Sequence, residues 1–277
     1  MNITKELLKA KEVIKQCNFL MITAGAGMSV DSGLPDFKGS HSFWEAYPPM
    51  KKLALTLPEV SNPLWFHRDP TFAWGFFGHR YHLYKNAIPH EGYNILKKWV
   101  KDKKYFVYTS NIDGLFLKTG FPENKVAEFH GTIHYLQCLE TYKCSLDIWP
   151  MDQPIEYDPV TFRAIEPLPK CKNCGGLARP NINMFGDIGW VSDRSSEQIK
   201  NLENTVNESK WKMAVLEIGA GEALYTVRPY CQRLVNREKA TLIRINPDKP
   251  LMIKDEAIEI HMKALDALKA IDSIMNT

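Results

Sequence analysis

The sequence predicts an α/β fold in which a parallel sheet is covered by helices on both faces, and three observations carry that expectation. Short apolar runs each end at a glycine-rich or polar loop, segments of helical period fall between them, and two longer stretches interrupt the alternation. The first helix is expected over residues 3–16, where apolar side chains recur every three to four positions. Phe19-Leu20-Met21-Ile22-Thr23 follows as a buried strand, and further strands are expected at 105–110, 213–219 and 240–245. Helical segments at 92–101, 195–206, 226–236 and 264–274 complete the alternation. Ligands of such sheets sit at the carboxyl ends of the strands, so the residues just beyond each run are the candidates for chemistry.

Composition narrows the function classes. With 277 residues and 44% apolar side-chain types the chain can bury a sizeable core, which excludes a disordered protein. The 35 basic residues barely exceed the 32 acidic ones, so no polyanion footprint is present and no nucleic-acid partner is expected. Met1-Asn2-Ile3-Thr4-Lys5-Glu6 is charged and helix-like, and no run approaches eighteen apolar residues. A soluble, cytoplasmic protein without membrane contact is therefore expected.

The first strand leads into Ala24-Gly25-Ala26-Gly27-Met28-Ser29-Val30-Asp31-Ser32-Gly33-Leu34-Pro35-Asp36-Phe37. Gly25 and Gly27 fall at the turn after the strand, where backbone N–H groups can face a pyrophosphate. Val30 stands where a dinucleotide fingerprint would carry its third glycine.

The first interruption, residues 40–89, is rich in prolines and aromatics, among them Phe43, Trp44, Tyr47, Trp65, Phe66, Phe72, Trp74, Phe76 and Phe77. It reads as a helical insertion with a satellite hydrophobic core, because the basic interleaving of a base-stacking surface is sparse. The second, residues 138–179, holds four of the six cysteines. Cys171-Lys172-Asn173-Cys174 followed by two glycines is a metal knuckle, and Cys138 with Cys144 would complete a closed, structural zinc site. The alternatives are reduced core cysteines or a site that Cys144 cannot reach, with His134 as a substitute ligand. Cys17 and Cys231 lie alone and are expected to be buried thiols.

Beyond the second strand comes Ser110-Asn111-Ile112-Asp113-Gly114, and nineteen residues after Asn111 comes His130, within Glu128-Phe129-His130-Gly131-Thr132. Alone, the first could be a turn and the second a structural histidine. Together with the 25–37 segment, the cysteine pairs, and Arg179-Pro180 through Phe185-Gly186-Asp187, they resemble the sirtuins, NAD-dependent protein deacylases and ADP-ribosyltransferases. The resemblance spans nearly the whole chain. It implies a Rossmann-like parallel sheet with helices on both faces plus a small zinc-binding and helical module. Residues 1–39, 90–137 and 180–277 would form the discontinuous NAD-binding domain, 40–89 the helical insertion and 138–179 the zinc-binding insertion.

The resemblance implies roles position by position. Gly25, Ala26 and Gly27 would hold the NAD pyrophosphate, and Asp36, Phe37 and Lys38 would lie near the nicotinamide ribose. Ser110, Asn111, Ile112 and Asp113 would continue the cofactor site, with Asn111 positioning the ribose and Asp113 binding the carboxamide. Gly219, Ala220 and Gly221 would meet phosphate, and Asn246 the adenosine ribose. His130 would be the general base acting on a ribose hydroxyl, with Asn111 as the second catalytic residue. Asn183, Phe185, Gly186 and Asp187 would bind the modified protein substrate.

Four departures from the family pattern accompany these matches. Lys38 stands in place of arginine, Ser110 in place of glutamine, Gly219-Ala220-Gly221 in place of Gly-Thr-Ser, and Asn183 in place of valine. With Pro89-His90-Glu91-Gly92-Tyr93 they look similar to the microbial macrodomain-linked sirtuins, a branch associated with protein ADP-ribosylation. The leading expectation, carried by His130, is lysine deacylation with acyl transfer to ADP-ribose. The alternatives are protein mono-ADP-ribosylation, and an NAD-binding sensor or NADase.

Overall fold

The computed structural model describes residues 4–36, 39–208, 210–221, 226–248 and 257–275. In chain order its strands are β1 (Phe19–Ala24), β2 (Lys104–Thr109), β3 (Val126–Glu128), β4 (Gly131–Cys138), β5 (Ile148–Pro150), β6 (Tyr157–Asp158), β7 (Arg163–Ala164), β8 (Ala178–Ile182), β9 (Met213–Ile218), β10 (Thr241–Ile245) and β11 (Ala257–Ile260). Six of them form one sheet in the order β11-β10-β9-β1-β2-β3. Every pairing in it is parallel.

Central strands of such a sheet are covered on both faces, which is why β1 and β9 are almost uninterrupted apolar runs with every residue buried. Successive side chains alternate between faces. Leu20 and Ile22 pack with the helices Lys5–Gln16, Glu91–Trp99 and Ala264–Ile274, whereas Phe19 and Met21 pack with Asp193–Asn207 and Val227–Glu238. Thr4 starts the first helix by accepting the Leu7 N–H at 3.3 Å.

From β1 the chain crosses to β2 on one side, while β9 pairs with β1 on the other. The carboxyl ends of β1 and β9 are thus the switch point of the sheet, where a crevice opens between diverging connections. Gly25 and Gly219 follow these two strands directly.

The 40–89 stretch is largely helical, but its aromatics do not form a satellite core. Phe43, Tyr47, Phe66, Phe72, Trp74, Phe76 and Phe77 are buried and continuous with the cluster under one face of the main sheet. The reason is the helix Pro70–Asn86, which is buried around most of its circumference and packs against the Leu64–Arg68 helix, β4, β6 and β7. Trp74 donates its indole N–H to Ala178 O at 3.0 Å, and Tyr81 its hydroxyl to Met151 O at 2.7 Å. The strands β5-β4-β8 form a small antiparallel sheet, with β6 and β7 as a separate hairpin.

Two strands of the main sheet, and all those of the two small sheets, escaped sequence reading. β3 is only three residues long, and β11 is a four-residue, half-buried strand at the sheet edge. Among the described residues, no helix is long and apolar enough to cross a membrane.

Candidate active site and metal centre

The two glycine turns at the switch point interlock. A Cβ on Gly25 would stand 2.7 Å from Gly219 O, and one on Gly27 would stand 2.7 Å from Gly219 Cα, so neither position accepts a side chain without moving backbone. Gly25 N–H donates to Ile218 O and Gly27 N–H to Gly219 O, both at 3.0 Å. This corrects the expectation that these two amides face a pyrophosphate. They bind the second turn, and the glycines serve by letting the two loops touch. Gly219 itself has φ +60°, a left-handed conformation that favours glycine.

The second turn rests on buried polar side chains. Ala220 O accepts Arg228 Nη2 at 3.0 Å and Asn246 Nδ2 at 2.9 Å. Beneath it, Glu217 Oε1 accepts Arg244 Nε at 2.8 Å and lies 3.5 Å from Arg228 Nε. Asn246 therefore holds the Ala220 carbonyl, and its Oδ1 accepts Asp248 N–H at 3.2 Å. Gly221 is exposed at the end of the turn.

Beside the first turn lies a closed polar cluster. Asn111 Nδ2 donates to Gly25 O and to Ser29 Oγ, both at 3.0 Å. Ser29 in turn donates to Asp113 Oδ2 at 2.6 Å, and Leu115 N–H donates to Asp113 Oδ1 at 3.0 Å. Because the single Ser29 proton goes to Asp113, the Tyr93 hydroxyl at 3.1 Å is the donor to Ser29. Burial pushes the Asp113 carboxyl above its ordinary range and the Tyr93 phenol well above its own. Ser110 is half-buried with its N–H on Ala24 O at 3.1 Å, and Ile112 O accepts Ile133 N–H at 3.1 Å. Asp36 is half-buried at the end of the loop, whereas Phe37 and Lys38 lie outside the described residues.

His130 approaches the cleft from the next strand end. Thr109 of β2 pairs with Glu128 of β3, so Asn111 and His130 each lie two residues beyond that register pair. His130 Nε2 is 3.2 Å from Thr226 Oγ1, while Nδ1 is buried with no hydrogen-bond partner among the described residues. Burial lowers the imidazole pKa, which keeps the ring neutral near pH 7. Behind it Glu128 and Arg194 form a buried ion pair at 2.7 Å, and burial pushes the Glu128 carboxyl up to about 7.

The segment after β8 is tied to His130, since Asn183 N–H donates to His130 O at 2.9 Å. Asn183 is half-buried and Phe185 is exposed, with the Phe185 N–H on Ser61 O at 3.0 Å. Gly186, at φ +68°, completes the turn. Asp187 departs from its expected place in a substrate surface, because its carboxylate is fully buried against Arg179. The same carboxylate accepts the N–H groups of Met184 at 3.2 Å and Gly189 at 3.0 Å, so it shapes the loop from inside.

The four cysteines converge. Cys138 and Cys174 sulfurs are 3.8 Å apart, those of Cys144 and Cys171 are 3.7 Å apart, and all four lie within 4.8 Å of one another. Sulfurs at the corners of a tetrahedron around zinc, with Zn–S near 2.3 Å, stand about 3.8 Å apart. The donor set therefore fits zinc, and four thiolates make it closed and structural. The short turn Thr141–Lys143 folds the wide first spacing back, bringing Cys144 within reach. His134 is not a ligand, because its Nε2 bonds Asp113 O at 2.8 Å.

Comparison with known proteins agrees with this arrangement. The model of the Sir2 family matches residues 25–211. The chain belongs to the Sir2 family. It is similar to the NAD-dependent protein deacylase of Aquifex aeolicus, at 27% identity over 261 residues that cover 93% of this chain and 95% of that one. It is also similar to the NAD-dependent protein deacylase 2 of Pyrobaculum aerophilum, at 26% identity with 95% and 96% covered. Among solved structures, a Sir2 homologue with ADP-ribose superposes with TM-score 0.75 at 22% identity, covering 99% of this chain and 97% of that one. A Sir2 homologue complexed with NAD gives 0.74 at 22% identity, covering 97% and 94%.

Several residues of this Sir2 chain were invisible to sequence reasoning. Ser29 sits two positions beyond Gly27, and only its hydroxyl chemistry within the glycine loop could have marked it. Thr226 and the buried pair of Glu217 with Arg244 carry no motif, since His130 lies 96 residues from Thr226 and Arg244 27 residues from Glu217.

Proposed function

We propose that this member of the Sir2 family is an NAD-dependent protein deacylase that removes acyl groups from lysine side chains. The observation that carries the reading is the register of β2 and β3, in which Asn111 and His130 each lie two residues beyond the paired strand ends Thr109 and Glu128, on the carboxyl edge of the sheet. NAD, the co-substrate, supplies the electrophilic ribose carbon, releases nicotinamide and carries the acyl group away as acyl-ADP-ribose, with one water consumed.

The residues divide the work. Asn111, fixed to Gly25 O and Ser29, orients the ribose, and Asp113, held by Ser29 and Leu115 N–H, receives the carboxamide. Gly219, Ala220 and Gly221 line the phosphate turn, with Ala220 O drawn inward by Arg228 and Asn246. His130 accepts a proton at one ring nitrogen from a ribose hydroxyl once the acyl oxygen has bonded to the ribose carbon. Its lowered pKa suits that task, because the neutral ring is the form able to accept. Asn183 and Phe185 would flank the acyl-lysine, tied to the base through Asn183 N–H. Four thiolates would hold zinc and keep β4 and β8 together.

The test is mass spectrometry of the protein incubated with NAD, acyl-lysine peptides and a lysate of acceptor proteins. A deacylated peptide with matching acyl-ADP-ribose, both lost in His130→Ala, supports the reading. A gain of one ADP-ribosyl group on a protein with no deacylated peptide would replace it with transferase activity.

A further inference from the structure

Thr226 occupies the residue before the helix Val227–Glu238, where a threonine ordinarily accepts an N–H from the first turn. Here its side chain makes no capping bond. The hydroxyl meets His130 Nε2 at 3.2 Å, and among the described residues the imidazole Nδ1 has no hydrogen-bond partner. Thr226 has φ −117° and ψ −59°, outside the extended conformation of a capping residue, and its hydroxyl bonds the imidazole rather than the helix.

The same stretch of chain also reaches the phosphate turn. Arg228, two residues after Thr226, holds Ala220 O at 3.0 Å, and Asn246 holds the same oxygen. The described residues Ala220 and Arg228 are thus joined by a hydrogen bond, and Thr226, two positions before Arg228, reaches the imidazole.

We propose that Thr226 is a positioning residue for the base. Its hydroxyl holds the His130 ring with Nε2 toward the cleft before the co-substrate binds, and the ribose hydroxyl takes over that nitrogen when phosphate settles on Gly219 to Gly221. In the tautomer that can act as base at Nε2, with the ring proton on Nδ1, one Nε2 lone pair cannot serve both hydroxyls, so the two contacts exclude each other. This inference rests on His130 being the base, and the test separates the two.

Thr226→Val keeps the shape and removes the hydroxyl, while Thr226→Ser restores it. Two readouts are taken on the full chain with NAD and an acyl-lysine peptide: exchange of labelled nicotinamide, which reports the step before the base acts, and formation of deacylated peptide. In Thr226→Val, deacylation kcat should fall about tenfold while KM for NAD and nicotinamide exchange stay within about twofold, and Thr226→Ser should recover kcat. An unchanged or raised kcat in Thr226→Val overturns the proposal, and so does an equal loss of exchange and deacylation, the mark of a merely structural side chain. His130→Ala run alongside tells the two readings apart. If it deacylates at the wild-type rate the base itself is misassigned, whereas an inactive His130→Ala beside a fully active Thr226→Val overturns the role of Thr226 alone.

Discussion

Ser29 donates its hydroxyl proton to Asp113 at 2.6 Å across 84 residues of sequence, and the same oxygen accepts Asn111 Nδ2 at 3.0 Å. One hydroxyl thus sets two of the three polar side chains that the co-substrate would meet beyond β2. Replacing it should disturb both without touching either.

Ser29→Ala is expected to lower kcat/KM for nicotinamide release by about 10- to 100-fold, the loss that follows from a hydrogen bond to a charged group worth roughly 1.5–3 kcal/mol. Thermal unfolding should shift little by comparison. Wild-type nicotinamide release in the variant would mean that Asn111 and Asp113 are placed by their backbones alone.

Gly219→Ala tests the interlocked turns. The position has φ +60°, and its side-chain direction points into the Gly27–Met28 peptide, so a methyl group must push the two loops apart. We expect stability to drop by roughly 1–3 kcal/mol and ADP-ribose binding to be lost, read by thermal melt and titration calorimetry. Retained binding would show that the loops part without harming the phosphate turn.

Removing zinc should unfold more than the knuckle. Cys138 ends β4 and Cys171 lies beside the Lys170–Leu177 bridge that precedes β8, so the metal would clamp the strands on which His130 and Asn183 depend. Elemental analysis should find one zinc per chain, and a strong chelator or Cys171→Ser should abolish activity with loss of near-ultraviolet dichroism. Full activity in metal-free protein would contradict the structural role.

The pH dependence follows from burial of His130, which lowers its pKa below the ordinary imidazole value of about 6.5. The ring is unprotonated, and competent as a base, above that depressed value. Deacylation kcat should therefore hold through neutral pH and fall only as the medium becomes more acidic than an ordinary histidine would require. A midpoint at or above about 7, traced to His130 by its ring proton shifts, would refute this.

Glu128 carries the opposite linkage. Burial pushes its carboxyl up to about 7, above the ordinary glutamate range, so the folded state holds the proton more tightly. The carboxylate's burial cost is absent below the unfolded pKa and grows as pH rises toward 7. The stability difference between Glu128→Gln and wild type should therefore move in favour of the variant across that window, measured by denaturant melts at stepped pH. A difference independent of pH would mean that Glu128 stays ionised beside Arg194 throughout.

What the sequence determined by itself was whatever depends on near neighbours. Apolar runs of six residues became β1 and β9, helical periods became the helices between them, and clustered cysteines became the metal centre, because backbone preference and side-chain alternation are decided within a few positions. The motif residues Gly25, Gly27, Asn111, Asp113 and His130 were legible for the same reason, each following a strand end. Tertiary structure alone decided the partners. The glycine amides meet Ile218 and Gly219, Ser29 meets Asp113, and Thr226 meets His130, across separations of about 84 to 193 residues, where no local pattern can specify a pairing. Those contacts exist because the order β9-β1-β2-β3 brings four loops to one edge of the sheet, and that order is fixed by packing of whole layers rather than by any segment alone.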